Sequence, residues 1–476
     1  MYVCRTALAA TLLFAASPAL AAPPIQEHTC PDGLTVLVAE DHALPLITVE
    51  IAARNGSMTE SPEYNGLSHL YEHMFFKANK ALPSQEAYLA RARELGMSWN
   101  GTTGTERVNY FFTTTTDHLD DALVFMRDAI VSPLFDEKEL AREREVVVGE
   151  IDRNMSTPGY HFGHEVTEHV FWKYPSRKNP LGDAGTVRAA TPAKMRTIQE
   201  RYYVPNNSAL VITGDVNAAA IFARVDALYA GWARGADPFV KNPLVKHPPI
   251  KKSEVVVVEQ PVQTFSGELE WQGPSTTVGS GVELTYAADL LGTALSEPSS
   301  RFQKALVDSG ACVHAHLAWS TQRNVGPVSV SFEAAPTKVD ACVAAVFAEL
   351  PRIKEAGYLS DEDLANAGHT IAIDLARERE RPSSYAHSIT YWWTSAGLDY
   401  YRGYQDHVKG VTRAEIARFV DGYVLGKPFV FGAMVSPEMV AKGLDRARFE
   451  KLAGLPPTAA KVALKTATRT VKKGAK

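Results

Sequence analysis

The sequence predicts an α+β protein made of two halves with one grammar, and three features carry that expectation. At 476 residues the chain exceeds one ordinary domain and can bury two cores. The first half runs from strands to helices and back to strands. Beyond a proline- and lysine-rich segment, the second half repeats that order. Hydrophobic content of 45% and charged content of 22% are ordinary for a globular protein in water.

Residues 1–22 stand apart. Arg5 supplies a positive start, residues 7–16 an apolar stretch around Leu12-Leu13-Phe14, and Ala19-Leu20-Ala21 a small-x-small cleavage site. This pattern reads as a secretory signal peptide, too short to span a bilayer and cut after Ala21 or Ala22. Export is therefore expected, to a periplasm first and to the exterior second. Residues 34–40 and 45–54 alternate as a strand pair. Residues 66–78 and 84–95 read as helices, and 107–116 as a strand. Asp117 is placed to cap a helix that runs to Ile130, ahead of Pro133. Residues 136–155 form a further helix. Another spans 192–203, with Thr191 as cap and Pro192 in the first helical position. A strand follows at 208–213. Residues 241–253 hold three prolines and four lysines and read as a linker.

In the second half, 254–260 and 263–271 are strands, 281–295 and 300–309 helices. Residues 326–335 form a strand, 338–350 and 361–381 helices, and 429–435 a closing strand.

The chemistry begins at His69-Leu70-Tyr71-Glu72-His73, an H-x-x-E-H pentapeptide. On a helix, His69 and His73 lie one turn apart on one face, as two imidazoles gripping one ion must. Glu72 lies beside them, close enough to polarise a water on that ion without binding the ion itself. Two unrelated histidines of an amphipathic helix would give the same letters. A two-histidine zinc site normally takes a third protein ligand and keeps one position open. In 136–155, Glu143, Val146, Val147 and Glu150 form an i, i+3, i+4, i+7 stripe. Two carboxylates on a valine-lined stripe are costly to bury unless something cationic meets them. A metal or its histidines would serve; so would pairing with Arg142, Arg144 or Arg153 on a solvated face.

His69-x-x-Glu72-His73, with Glu150 following His73 by 77 residues, resembles the pitrilysin/insulinase family of inverzincin metallopeptidases. The flanks Asn65-Gly66-Leu67 and Met74-Phe75-Phe76-Lys77 agree with it. So do Gly96-Met97-Ser98-Trp99-Asn100-Gly101-Thr102, Pro180-Leu181-Gly182, Tyr203-Val204-Pro205-Asn206-Asn207 and Gly214-Asp215-Val216. The resemblance implies that His69, His73 and Glu150 bind one Zn2+ per chain, that Glu72 is the general base, and that Glu143 orients a ligand. It also implies a peptide lying extended along Trp99, Asn100 and Gly101, with Phe76 at the wall. The implied fold is two related α/β-sandwich domains forming half of a clamshell peptidase. The zinc-binding domain would occupy 23–240, the linker 241–253 and a non-catalytic homologue 254–456.

One departure bears on assembly. Members of the family hold substrate with an arginine and a tyrosine downstream of a Ser-Arg-Leu-like helix start. Here Ser299-Ser300-Arg301-Phe302 is recognisable, but Leu306 is followed by Val307, and Gly310-Ala311-Cys312-Val313-His314 holds no tyrosine. The resemblance then implies a heterodimer with a homologous subunit carrying that clamp, a homodimer being the second choice. A non-catalytic peptide-binding or assembly subunit of the same fold is the alternative. The intact His69, Glu72, His73, Glu150 set argues against it.

The remaining features carry less. Net charge is −5, but Arg5 and six cations in 461–476 leave the rest of the chain at −12. An acidic body favours basic peptides and disfavours nucleic acid. The tail, 457–476, has the composition of a disordered segment. Cys4 is expected to leave with the leader; the remaining Cys30, Cys312 and Cys342 allow at most one disulfide, with Cys312–Cys342 favoured, and three buried thiols fit equally. His161, His164, Glu165, Glu168 and His169 cluster, but His164 and His169 diverge on a helix, so a polar surface is expected rather than a second metal site. His314 and His316 read as strand residues, and Tyr391-Trp392-Trp393 with Tyr400-Tyr401 as core.

Overall fold

The computed structural model describes residues 24–277 and 281–457, so the signal segment and all but the first residue of the tail lie outside the described residues. Two sheets organise the chain. The first has six strands in the order β1-β2-β6-β3-β5-β4. These are β1 (Gln26–Thr29), β2 (Thr35–Glu40), β3 (Leu46–Ala53), β4 (Ser98–Thr103), β5 (Val108–Thr115) and β6 (Ser208–Gly214). Only β2 and β6 run parallel. The expected pairing of 34–40 with 45–54 is corrected here: β6 lies between β2 and β3 and bonds to both. Every residue of β6 is buried, as a central strand with an apolar run requires. β4 bonds only to β5, so its other edge is open.

The first-half helices follow their caps. Ser84, Asp136 and Thr191 each accept a backbone N–H at the starts of Gln85–Glu94, Glu137–Met155 and Pro192–Tyr202. Asp117 does not. It sits inside a short 3-10 turn, Thr116–His118, and the helix Leu119–Val131 begins after His118 with no side-chain cap. The turn brings the chain into the helix later than the sequence suggests, leaving the carboxylate out of register with the free N–H groups.

The second sheet has five strands in the order β7-β11-β8-β10-β9. They are β7 (Glu254–Glu259), β8 (Phe265–Gln272), β9 (His314–Trp319), β10 (Pro327–Ala334) and β11 (Val430–Val435). His314 and His316 lie on β9 as expected. The expected helix at 300–309 is a short turn, Arg301–Gln303, running into a π-helical segment, Lys304–Asp308. The expected helix at 361–381 ends at Glu378, because Pro382 opens a new helix, Pro382–Ser395.

Each half lends a helix to the other. Pro382–Ser395 lies across β3 and β6 of the first sheet. There the fully buried Glu50 accepts from Asn109 (2.9 Å), Thr390 Oγ1 (2.6 Å) and the His387 ring (2.6 Å). Conversely, Pro158–Val170 lies on the second sheet, where Phe162, Val166 and Val170 pack with Val256, Val258, Val430 and Met434. Gly432 is required by that crossing: a Cβ there would stand 2.4 Å from Val166 Cγ2. Leu37, Ala39, Ala209 and Val211 of the first sheet belong to the same apolar core as the second half. Trp393, Tyr400 and Tyr401 are buried in it, as expected. Cys312 and Cys342 are disulfide-bonded, and Cys30 is a buried free thiol. No helix among the described residues is long and apolar enough to cross a membrane.

Candidate metal centre

The motif occupies the helix Leu67–Phe75, which starts at Gly66 in a left-handed conformation, φ 91°. That glycine lets the helix start press on the chain at Gly182; a Cβ on Gly66 would lie 2.8 Å from the Gly182 Cα. Glu60, buried beneath, accepts from the Gly66 and Ser68 N–H groups at 2.8 and 2.6 Å, so a carboxylate sits at the positive end of the helix. Leu67, Leu70, Tyr71, Met74 and Phe75 face the core. His69, Glu72 and His73 are left on the other face.

Glu137–Met155 packs against this helix and delivers Glu143 and Glu150, two turns apart. His69 Nε2 and His73 Nε2 are 3.2 Å apart, and Glu150 Oε2 lies 3.6 and 3.7 Å from them. Bonds of about 2.0–2.2 Å to a tetrahedral zinc set N and O donors about 3.3–3.6 Å apart. The triangle therefore fits one such ion, and its two imidazoles and one carboxylate are a zinc donor set.

Glu143 sits behind His73. Its Oε1 takes the His73 Nδ1–H at 2.8 Å and its Oε2 pairs with Lys77 Nζ at 2.6 Å. Burial pushes the Glu143 pKa up, but hydrogen bonds from His73 and Lys77 outweigh it and hold the carboxyl below its usual range. An ionised acceptor on Nδ1 fixes the His73 tautomer and turns the Nε2 lone pair toward the triangle. Two of the three arginines that offered the other reading are engaged elsewhere: Arg142 with Glu139, Arg144 with Glu137. Burial, with the charge of His73, brings His69 down to about 4. Its imidazole is thus neutral, as a ligand must be. Its Nδ1 is buried without a hydrogen bond of good geometry, and the Leu181 backbone is the polar group that favours its proton.

Glu72 is separate from the triangle. Its Oε2 accepts from Thr103 Oγ1 on β4 at 2.7 Å, and burial raises its pKa. Gly101 faces it: a Cβ there would stand 2.9 Å from Glu72 Cγ and 3.0 Å from Phe76 Cε2. Phe76 is buried and stacks at a tilt on Trp99, 4.6 Å between centroids. Trp99, Gly101 and Thr103 share one face of β4 by strand alternation. Asn100 falls on the other face, exposed, with its Oδ1 accepting from the Gly101 N–H at 2.9 Å. Lys77 and Thr103 have no role in the sequence reading. Thr103 was reachable through its spacing of two from Gly101. Lys77 follows the end of the motif helix, where helical spacing no longer predicts contact.

The histidines of Pro158–Val170 form separate pairs, His161 with Glu165, His164 with Glu168 and His169 with Glu254. Among the described residues only two groups bring three potential metal ligands together: His69, His73 and Glu150, and, elsewhere, His28, Cys30 and Asp226.

A two-sheet α+β chain with an inverted histidine motif facing an open strand edge defines the class. The profile of the insulinase family, Peptidase M16, matches residues 35–182, and that of the Peptidase M16 inactive domain matches 189–370. The chain belongs to the M16 peptidase family. It is 27% identical over 198 residues to an uncharacterized zinc protease, YmxG, of Bacillus subtilis, across 41% of this chain and 48% of that protein. The chain thus spans about half the length of the curated relatives it matches. In fold it resembles a Helicobacter pylori protease (TM-score 0.79, 21% identity, 87% of this chain and 100% of that one). It also resembles the first half of the Escherichia coli periplasmic protease PqqL (0.74, 18%, 93% and 100%).

Proposed function

We propose that the chain is the zinc-bearing subunit of an endopeptidase that cleaves peptides or short unfolded polypeptides bound in extended form inside a chamber. The observation that carries this is the His69, His73, Glu150 triangle with the Glu72 carboxylate beside it and outside it. His69, His73 and Glu150 would hold Zn2+, within a catalytic unit at 23–240. When bound, zinc supplies Lewis acidity, polarising the scissile carbonyl and making water a stronger acid. Glu72 takes the proton of the attacking water and returns it to the leaving amine. Thr103 holds one oxygen of Glu72 and leaves the other toward Gly101. Glu143, steadied by Lys77, keeps His73 oriented. The open edge of β4 takes the substrate backbone as an added strand, and Gly101 leaves room for it above Glu72. Such binding reads the backbone more than the side chains. The periplasm, reached by the leader, is the proposed site of action.

Metal analysis together with turnover of an unstructured peptide tests the reading. One equivalent of zinc per chain should depend on this triangle and be lost in His69→Ala, with cleavage that disappears alongside it. Zinc fully retained in His69→Ala would remove the assignment.

A further inference from the structure

We propose a second metal site at His28, Cys30 and Asp226, built for a zinc-like divalent cation and remote from the motif helix. His28 lies on β1 and Cys30 comes two residues after it, just past that strand's end, so both side chains leave on one face. Asp226 comes from the helix Ala218–Tyr229, which packs on β2. Its two carboxylate oxygens lie 2.9 and 3.0 Å from His28 Nε2. It also accepts from the Cys30 thiol. One nitrogen, one sulfur and one oxygen donor thus stand within 4.8 Å of one another.

The donor set selects the ion. Magnesium and calcium take oxygen, whereas zinc takes mixed sulfur and nitrogen sets with a carboxylate. Tetrahedral bonds of about 2.0–2.3 Å put such donors about 3.3–3.7 Å apart. The imidazole and carboxylate need only move apart by a few tenths of an ångström for an ion to replace the shared proton. The thiol gives its proton to solvent on binding. Cys30 is buried at 3% exposure, while His28 and Asp226 keep about a third of their side chains open (32% and 37%). That leaves an entry path and a fourth position for water. Phe222, one turn before Asp226, holds the His28 ring at 5.2 Å between centroids. The Tyr229 hydroxyl, on the same helix and electrostatically coupled to Cys30, is buried without a hydrogen-bond partner.

β1 and β4 are opposite edges of the six-stranded sheet. Five strand spacings of about 4.8 Å put the site roughly 24 Å from the motif helix's strand neighbour. The ion would act as a staple, tying the first strand to the helix behind the sheet.

Cobalt substitution tests this on the chain beginning at Pro23, which lacks Cys4. The His69, His73, Glu150 set contains no sulfur and Cys312–Cys342 is bonded, so a sulfur-to-cobalt charge-transfer band reports on Cys30. Added to protein stripped of metal, Co2+ should bind at two equivalents per chain, with that band present. The band should persist in His69→Ala and vanish in Cys30→Ser, with one equivalent lost. A wild-type spectrum without the band, or a band that survives in Cys30→Ser, overturns the proposal. The wild-type spectrum decides even if a variant fails to fold.

Discussion

Glu72 and Glu143 are both carboxylates near one pair of imidazoles, and their surroundings divide the work between them. Glu72 is partly desolvated and bonded only by a hydroxyl, so it can give and take a proton. Glu143 is locked between an imidazole and an ammonium. Glu72→Gln keeps the shape and the Thr103 contact but cannot accept a proton. Its rate should fall by about 10²–10⁴-fold while zinc stays bound. Near-normal cleavage by Glu72→Gln with zinc in place would end the general-base role. Glu143→Ala frees the His73 tautomer and strands Lys77, so metal affinity or activity should fall by about 10–100-fold. Equilibrium dialysis against a zinc buffer reads the first, and an unchanged affinity with unchanged turnover would reduce Glu143 to packing. At this scale the sequence was most legible. A one-turn spacing on a helix and a two-turn spacing on another are local rules, so His69 with His73 and Glu143 with Glu150 could each be placed on one helix face, while their roles came from the resemblance alone. Which cation would meet Glu143 was not local, and Lys77 emerged only with the contact.

At the scale of elements, caps and prolines were legible and strand neighbours were not. Strand pairing is set by a segment some 150 residues away: β6 inserts between β2 and β3 because its central apolar run, Ala209 to Ile212, needs cover on both faces. The segment 241–253 reads as a loose linker by composition, yet it is held. Asn324 Nδ2 bonds the Val245 carbonyl at 2.6 Å, and the buried His247 ring meets Phe171 edge-on at 4.9 Å. Burial, and then the charges of Lys178 and Arg177, bring His247 down to about 3. An unfolded histidine titrates near 6.5. Between those values the unfolded chain binds the extra proton, so stability present above about pH 6.5 is lost as pH falls. The loss reaches about 2 kcal/mol by pH 5. His247→Phe should lessen the drop in urea midpoint between pH 7 and pH 5; equal drops in both proteins would show that the ring is not the acid-sensitive group. The crossing helix at Gly432 gives a second test. Gly432→Val drives a side chain into Val166 and should cost about 1–3 kcal/mol by denaturant unfolding, and a neutral result would mean the crossing is looser than its atoms suggest.

For the whole molecule, the resemblance implied half of a chamber, and the described fold is two sheets, with the β4 edge of the first beside the motif helix. Val307 packs partly against the core and Val313 stands exposed at 61%, and neither can supply cationic or phenolic contacts to a substrate. Misplaced substrate alone costs about 10²-fold. The chain alone should therefore bind zinc yet cleave poorly, and a homologous subunit carrying an arginine and a tyrosine should restore turnover. Light scattering with peptide assays checks this, and robust turnover by a monomer or homodimer would make the second subunit unnecessary. The bonded Cys312–Cys342 pair suits an oxidising compartment, in keeping with the expected leader. N-terminal sequencing of native protein should begin at Ala22 or Pro23, and an intact Met1 in the cytoplasmic fraction would refute export.

The exchanged helices set what can move. Because Pro382–Ser395 is built into the first sheet's face and Pro158–Val170 into the second's, severing the backbone anywhere in 241–253 leaves two fragments that still hold each other. A nicked chain should travel through a sizing column as one particle. The halves cannot swing apart like a book on that spine, so the chain behaves as a single stiff wall. On the proposed function, the gap that admits a polypeptide to Glu72 would open along the wall's outer rim, against another body, and not through its middle.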